Sequence, residues 1–187
     1  FEPDLLYQGE GLNVVESTHN IIINEETGFA YLTNRACAGM HMVDISDPLS
    51  PTFAGCTEPG SVHDAQCVVY HGPDEDYQGR EICLGANETA LSIADVTDKS
   101  APVAVAMASY PNVGYSHQGW LSEDHSYFFM GDELDETGGN VTNTRTLIWD
   151  LEDLDDPILA AEYMAETRST DHNLYIVGDR MYQSKYA

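Results

Sequence analysis

Four short phrases centred on a histidine constrain the fold of this chain more than any other feature. Each histidine is followed by an amide or acidic side chain and then by an apolar run. The four are His19, His63, His117 and His172, at intervals of 44, 54 and 55 residues. Repeats of about 40 to 50 residues are typical of propeller blades. The sequence therefore predicts one repeated structural unit, and units arranged around an axis would bring the four imidazoles to equivalent places.

Each histidine phrase precedes short runs of β-branched and aromatic residues that are bounded by turn residues. In the first unit these runs cover residues 21–23, 29–33 and 40–44. Such runs are typical of β-strands, and no segment shows a sustained apolar period of 3.6 residues. We therefore predict an all-β fold.

A second phrase, running from an aspartate to a proline, closes each unit. It covers residues 44–51, 95–102 and 150–157. Asp and Ser side chains bond to nearby backbone N–H groups in tight turns, and a proline is tolerated where an outer strand begins. Each unit then has four strands, which is the make-up of a propeller blade.

The repeat predicts a single β-propeller domain over residues 1–187. Its blades would cover residues 17–60, 61–114 and 115–169, with an incomplete one at 170–187. Propellers close with about four to eight blades, so three complete blades would not close a ring. Because the chain also begins with Phe1 rather than Met, we expect it to be a piece of a longer polypeptide.

The charge of the chain restricts its partners. It has 32 acidic and 7 basic residues, for a formal net charge of -25. Binding to nucleic acid needs Lys and Arg to replace counterions, so we expect no nucleic-acid partner. Such acidity suits cations, a basic partner or a salty medium. No apolar run approaches the roughly 20 residues that cross a bilayer, so we expect no direct membrane insertion.

The four cysteines predict two disulfides. Cys67 and Cys83 flank a strong turn segment at residues 72–79, so two strands joined there would bring these thiols together. Cys37 and Cys56 are then the remaining pair. Closing a loop of about 15 residues contributes about 3 kcal/mol in the chain-entropy model. The alternative is that the cysteines are buried free thiols of a cytosolic protein.

Two glycosylation sequons begin at Asn87 and Asn140. Such acceptors occur on the surface of secreted proteins. Together with the expected disulfides, they predict an extracellular or cell-surface glycoprotein.

Longer phrases carry a resemblance to a known family. Residues 39–48 resemble the LVIVD repeat, and other phrases resemble the choice-of-anchor B family, at 63–70, 72–74, 81–83, 117–121, 132–136 and 171–175. The resemblance covers nearly the whole chain. It implies a β-propeller on secreted or surface-anchored proteins that are longer at both ends, and it implies no settled activity.

The histidines are the first candidate site. Imidazoles that meet at a channel mouth suit a transition metal, with an added oxygen from Asp64 or Asp171. A neighbouring carboxylate can also fix the tautomer of a ligand imidazole. The alternative is that each histidine bonds to backbone carbonyls and fastens one blade to the next.

Two acidic segments are further candidates. In residues 132–136 oxygen ligands precede a pair of glycines, an arrangement that suits Ca²⁺. Asp132 and Glu133 of that segment would otherwise face the channel beside the histidines. A possible calcium loop at Asp74, Asp76 and Glu81 has the Asp-x-Asp spacing but lacks the full EF-hand pattern. The alternative for both segments is a solvated acidic loop.

No catalytic motif is present, since the chain lacks a G-x-S-x-G, a Walker loop and a G-x-G-x-x-G. We therefore predict an extracellular propeller that acts as a binding or assembly module, with protein partners or self-assembly and stabilisation by a divalent cation. The alternative is a metal-dependent hydrolase or oxidase that uses the histidine ring. A third possibility is a calcium-stabilised component of a surface layer or filament.

Overall fold

The computed structural model describes residues 5–9, 15, 17–33, 37, 39–57 and 60–186, which form antiparallel sheets and one short helix. The first sheet contains β1 (Ile21–Asn24), β2 (Phe29–Leu32), β3 (His41–Asp44) and β4 (Thr52–Cys56). The second contains β5 (Asp64–Val69), β6 (Glu81–Ala86), β7 (Leu91–Asp95) and β8 (Val103–Ala108). The third contains β9 (Ser116–Leu121), β10 (Tyr127–Asp132), β11 (Arg145–Asp150) and β12 (Ile158–Met164), with α1 (Asp135–Gly138) after β10. The fourth pairs β13 (Thr170–Val177) with β14 (Arg180–Tyr186). The all-β prediction is confirmed.

The three four-stranded sheets share their local features. In each, consecutive strands are hydrogen-bonded neighbours, and the register shifts between the third and fourth strands. The aspartate that ends the third strand accepts a hydrogen bond from the backbone N–H two residues later, at 2.9 Å in all three sheets; these residues are Asp44, Asp95 and Asp150. The second repeated phrase therefore forms the expected turn.

The first strand of each sheet contacts the first strand of the next, in the order β1, β5, β9, β13. Apolar side chains fill the space between successive sheets. One cluster includes Tyr31, Met42 and Val96, and a larger one includes Phe128 and Trp149. This packing aligns the entrances of the four first strands, where the histidine phrases lie.

Both predicted disulfides are present. Cys67 and Cys83 face each other directly across β5 and β6, with their Cα atoms 4.0 Å apart. Cys37 and Cys56 are joined with their Cα atoms 6.3 Å apart. The turn at residues 72–79 therefore brings the strands together as expected.

Within the described ranges, no helix has the length and apolar character needed to cross a membrane.

Candidate functional site

The four repeat histidines form one continuous column. The ring centroids of His19 and His63 are 4.1 Å apart, those of His63 and His117 are 4.4 Å apart, and those of His117 and His172 are 4.4 Å apart. Adjacent rings are tilted by 37°, 42° and 43°. The middle rings, His63 and His117, are buried, and His19 at one end is exposed. The repeat thus brings the imidazoles together, as the sequence predicts.

Polar contacts beside the column join neighbouring sheets. The Nδ1 atom of His63 is 2.9 Å from the backbone oxygen of His117, so it donates to that carbonyl. Asn20 donates to the Asp64 carboxylate at 2.8 Å. Gln118 accepts from the Leu174 N–H at 2.7 Å and donates to the Leu174 carbonyl at 3.0 Å. Hydrogen bonds between neighbouring sheets, which the sequence suggested for the histidines, are therefore made by His63 and by Asn20 and Gln118, which each follow a repeat histidine.

The environment of His117 favours the neutral imidazole. Burial and the neighbouring His63 lower the pKa of His117 to about 4, and the opposing effect of Glu133 is smaller than either. Its Nδ1 atom is buried and has no hydrogen-bond partner among the described residues. A neutral imidazole is the form that binds metals.

Glu133 adds a carboxylate to the column. Its Oε2 atom lies 3.6 Å from His117 Nε2, and its Oε1 atom accepts a hydrogen bond of 2.5 Å from the Tyr186 hydroxyl. One ligand atom from each of His117, Glu133 and His172 lies within 4.8 Å of the others. Two imidazoles and one carboxylate suit a divalent transition metal, and Tyr186 is placed to orient the carboxylate.

Two other acids that the sequence places beside the histidines, Asp64 and Asp132, bind groups outside the histidine column. Asp64 accepts from Asn20 and from the Ala65 N–H, and burial raises its pKa. Asp132 is fully buried, and it accepts hydrogen bonds from the Tyr110 hydroxyl at 2.8 Å and from three backbone N–H groups. The Asp132 carboxylate therefore holds the chain segment before β9.

Asp171 belongs to a second, buried cluster. Ligand atoms of Asp135, Glu136 and Asp171 lie within 4.8 Å of one another. Arg145 donates from Nε to Asp135 at 2.9 Å. The acidic segment 132–136 signals oxygen ligands, but the sequence alone does not show that Asp135 and Glu136 meet an aspartate on β13.

The predicted calcium loop is divided between two environments. Asp74 accepts from the Asp76 N–H at 3.1 Å, and its carboxylate lies within 4.8 Å of Asp153 and Asp155. The Glu81 carboxylate instead binds Lys99 at 2.7 Å. The structure thus brings three aspartates together at this turn, and Glu81 has other partners.

The two sequon asparagines differ in exposure. Asn87 is only 7% exposed, whereas Asn140 is exposed and donates to the Val113 carbonyl at 2.9 Å. Asn140 is therefore the more accessible of the two sequon asparagines.

No protein-family model matches the chain, and no curated protein matches it. The resemblance to the choice-of-anchor B family remains a prediction from the residues.

Proposed function

We propose that this chain is part of an exported β-propeller of the choice-of-anchor B type that serves as a binding or assembly module. The main support is the histidine column, which lies where four adjacent first strands begin. The innermost strands of propeller blades adjoin in this way. The repeated Asp turns and register shifts support equivalent blades. The two disulfides fit an oxidising, extracellular location.

The column is the proposed binding site, and a transition metal is its proposed ligand. His117, His172 and Glu133 supply two nitrogen donors and one oxygen donor that are close together. The neutral state of His117 favours coordination over protonation. Three protein ligands leave coordination positions open for a group from a partner.

The outer strands are the proposed assembly surface. β8 and β12 are edge strands, and they expose large apolar side chains, namely Val103, Met107, Ile158, Tyr163 and Met164. An exposed apolar edge strand offers unpaired backbone groups to another chain. A protein partner or a second copy would cover this edge.

Metal analysis of the purified protein tests the site. We expect about one equivalent of transition metal in the unmodified protein and in a His71→Ala control, whose histidine lies outside the column. His117→Ala and His172→Ala should each lose at least nine tenths of it. Equal metal content in all four proteins would contradict the site.

Sedimentation of the purified protein, with pull-down from its native medium, tests the assembly role. We expect a complex that Ile158→Lys and Tyr163→Lys weaken and that Leu49→Lys, at an exposed turn, does not. A strictly monomeric, partnerless protein would count against the module.

A metal-dependent hydrolase or oxidase is the second candidate. The open coordination positions beside Glu133 favour it, since a bound metal can activate water there. Turnover of model esters or consumption of O₂ by metal-loaded protein, lost in Glu133→Gln, would establish it. Metal binding without turnover would leave the binding module as the better account.

A further inference from the structure

The buried carboxylates of Asp135, Glu136 and Asp171 form a site that is separate from the histidine ligands. Asp135 and Glu136 lie in α1, directly after the third sheet's β10, and Asp171 lies in β13 of the fourth sheet. Asp135 and Asp171 are fully buried, and Glu136 is 5% exposed.

Four oxygen atoms of this cluster have no hydrogen-bond partner among the described residues. They are Asp135 Oδ1, Asp171 Oδ1 and both carboxylate oxygens of Glu136. Buried polar atoms are nearly always hydrogen-bonded in native proteins, and a buried charge is normally paired or bound to a metal. The Glu136 carboxyl group interacts with the Asp135 carboxyl group and with its own backbone N–H, but neither contact supplies positive charge. The unpartnered oxygens therefore indicate a missing partner that accepts electron pairs.

The protein supplies too little positive charge for the cluster. Among the described residues, one guanidinium, that of Arg145, faces the acids of this cluster. It leaves three net negative charges when Asp132, Asp135, Glu136 and Asp171 are all ionised. Burial, together with the neighbouring acids Glu136, Asp135 and Asp132, raises the pKa of Asp171 to about 9. Burial also raises the pKa of Asp135, to about 7. Without a cation, the cluster must hold protons.

We propose that a Ca²⁺ ion binds between Asp135, Glu136 and Asp171. Four carboxylate oxygens and added water molecules give the oxygen-rich, flexible coordination that Ca²⁺ prefers over Mg²⁺. Gly131 makes room for the site, because a Cβ there would collide with Asp171 Oδ2. The ion would fasten the fourth sheet to the third, and this role is independent of the proposed histidine site.

Thermal unfolding of protein stripped with EDTA, and then supplied with Ca²⁺, tests the proposal. At a Ca²⁺ concentration 100-fold above Kd we expect Tm to rise by about 5–10 °C, saturably and with one ion per chain. An equal ionic strength of NaCl should not reproduce the rise, which separates binding from the screening of the net charge. Mg²⁺ should give a clearly smaller rise.

Isosteric variants locate the ion. Asp171→Asn and Glu136→Gln should lose most of the calcium-dependent rise, and both should remain folded because they remove uncompensated charge. Asp153→Asn and His117→Gln are matched controls at the exposed aspartate group and the histidine column, and they should keep the full rise. An undiminished rise in Asp171→Asn, no saturable rise in the unmodified protein, or an equal rise with Mg²⁺ would overturn the proposal.

Discussion

Two buried acidic sites join neighbouring sheets in this protein, and they are stabilised in opposite ways. Between the first and second sheets, Glu81 accepts from Asn24, Thr27 and Tyr31 through Oε1 and binds Lys99 through Oε2. Between the third and fourth sheets, the Glu136 carboxylate lies against Asp135 and Asp171, and no Lys or Arg side chain among the described residues donates to it.

The difference shows in the direction of the pKa shifts. Burial alone would raise the pKa of Glu81, but hydrogen bonds from Lys99, Tyr31 and Thr27 outweigh it and lower the pKa. For Asp171 burial and neighbouring acids act together, and the pKa rises to about 9. Burial thus does not decide whether an acid is charged. The hydrogen-bond donors and positive charges around it do. At the second cluster the proposed calcium ion would supply the positive charge that Lys99 supplies to Glu81.

The largest expected loss of stability is that of Lys99→Met, which removes the basic partner of Glu81 between the first and second sheets. Removing one partner of a buried ion pair costs about 3–5 kcal/mol, because the remaining charge is left uncompensated. Urea unfolding would measure the loss, and Ca²⁺ should not restore it. The double variant with Glu81→Gln should recover part of the stability. If Ca²⁺ restored the stability of Lys99→Met, the proposed difference between the Glu81 site and the Asp171 site would be wrong.

A smaller loss is expected for Tyr31→Phe. The Tyr31 hydroxyl donates to Glu81 at 2.5 Å, and a hydrogen bond to a charged group contributes about 1.5–3 kcal/mol. Tyr110→Phe is the matched control, because Tyr110 donates to Asp132, which also accepts from three backbone N–H groups. The other donors to Glu81 are side chains, those of Asn24, Thr27 and Lys99, which are held less rigidly than backbone groups. Chemical denaturation should show the larger loss for Tyr31→Phe, and the reverse order would mean that backbone donors do not compensate.

The opposite sign is expected for Asp171→Asn in EDTA. In calcium-free protein the folded state must keep a proton on Asp171, which an Asn side chain does not need. Asp171→Asn should therefore raise the free energy of unfolding, by about 1–3 kcal/mol, the cost of an unsatisfied buried polar group. The same change at Glu81, Glu81→Gln, should lower it because Lys99 loses its partner. Destabilisation by both variants would show that the cluster is already compensated within the chain.

The sequence was sufficient to predict the features that repeat. The His phrases, the Asp turns and the strand runs recur with every unit, so each occurrence supports the others, and the convergence of His19, His63, His117 and His172 follows from that periodicity. Cys67 and Cys83 flank one turn, and their pairing is similarly a local matter.

The partners of the acidic residues could not be predicted in the same way. Glu81 has the spacing of a calcium ligand, but its environment is set by Lys99, 18 residues later, and by Tyr31, 50 residues earlier. Glu136 meets an aspartate on a different sheet. Such contacts depend on how the sheets pack against each other. Each occurs only once among the described residues, so the repeated sequence pattern does not predict it.

Measured per pH unit, the smallest expected effect is the pH dependence in EDTA. The pKa of Asp171 is about 9 in the folded protein and near 3.8 ordinarily, so between these values the folded state holds a proton that the unfolded state has released. Stability should therefore fall as pH rises through this window, by at most about 1.4 kcal/mol per pH unit for one proton.

The pKa of Glu81 is lowered, so the stability that its ionised form contributes is present above the ordinary pKa and is lost in acid. The advantage of Asp171→Asn over the unmodified protein should hence grow from pH 6 to pH 8, whereas the deficit of Lys99→Met should shrink only in acid. Because Ca²⁺ displaces the proton, saturating Ca²⁺ should remove the first trend and leave the second. A gap for Asp171→Asn that is equal at both pH values would mean that Asp171 is ionised without the ion, and that the two sites are alike.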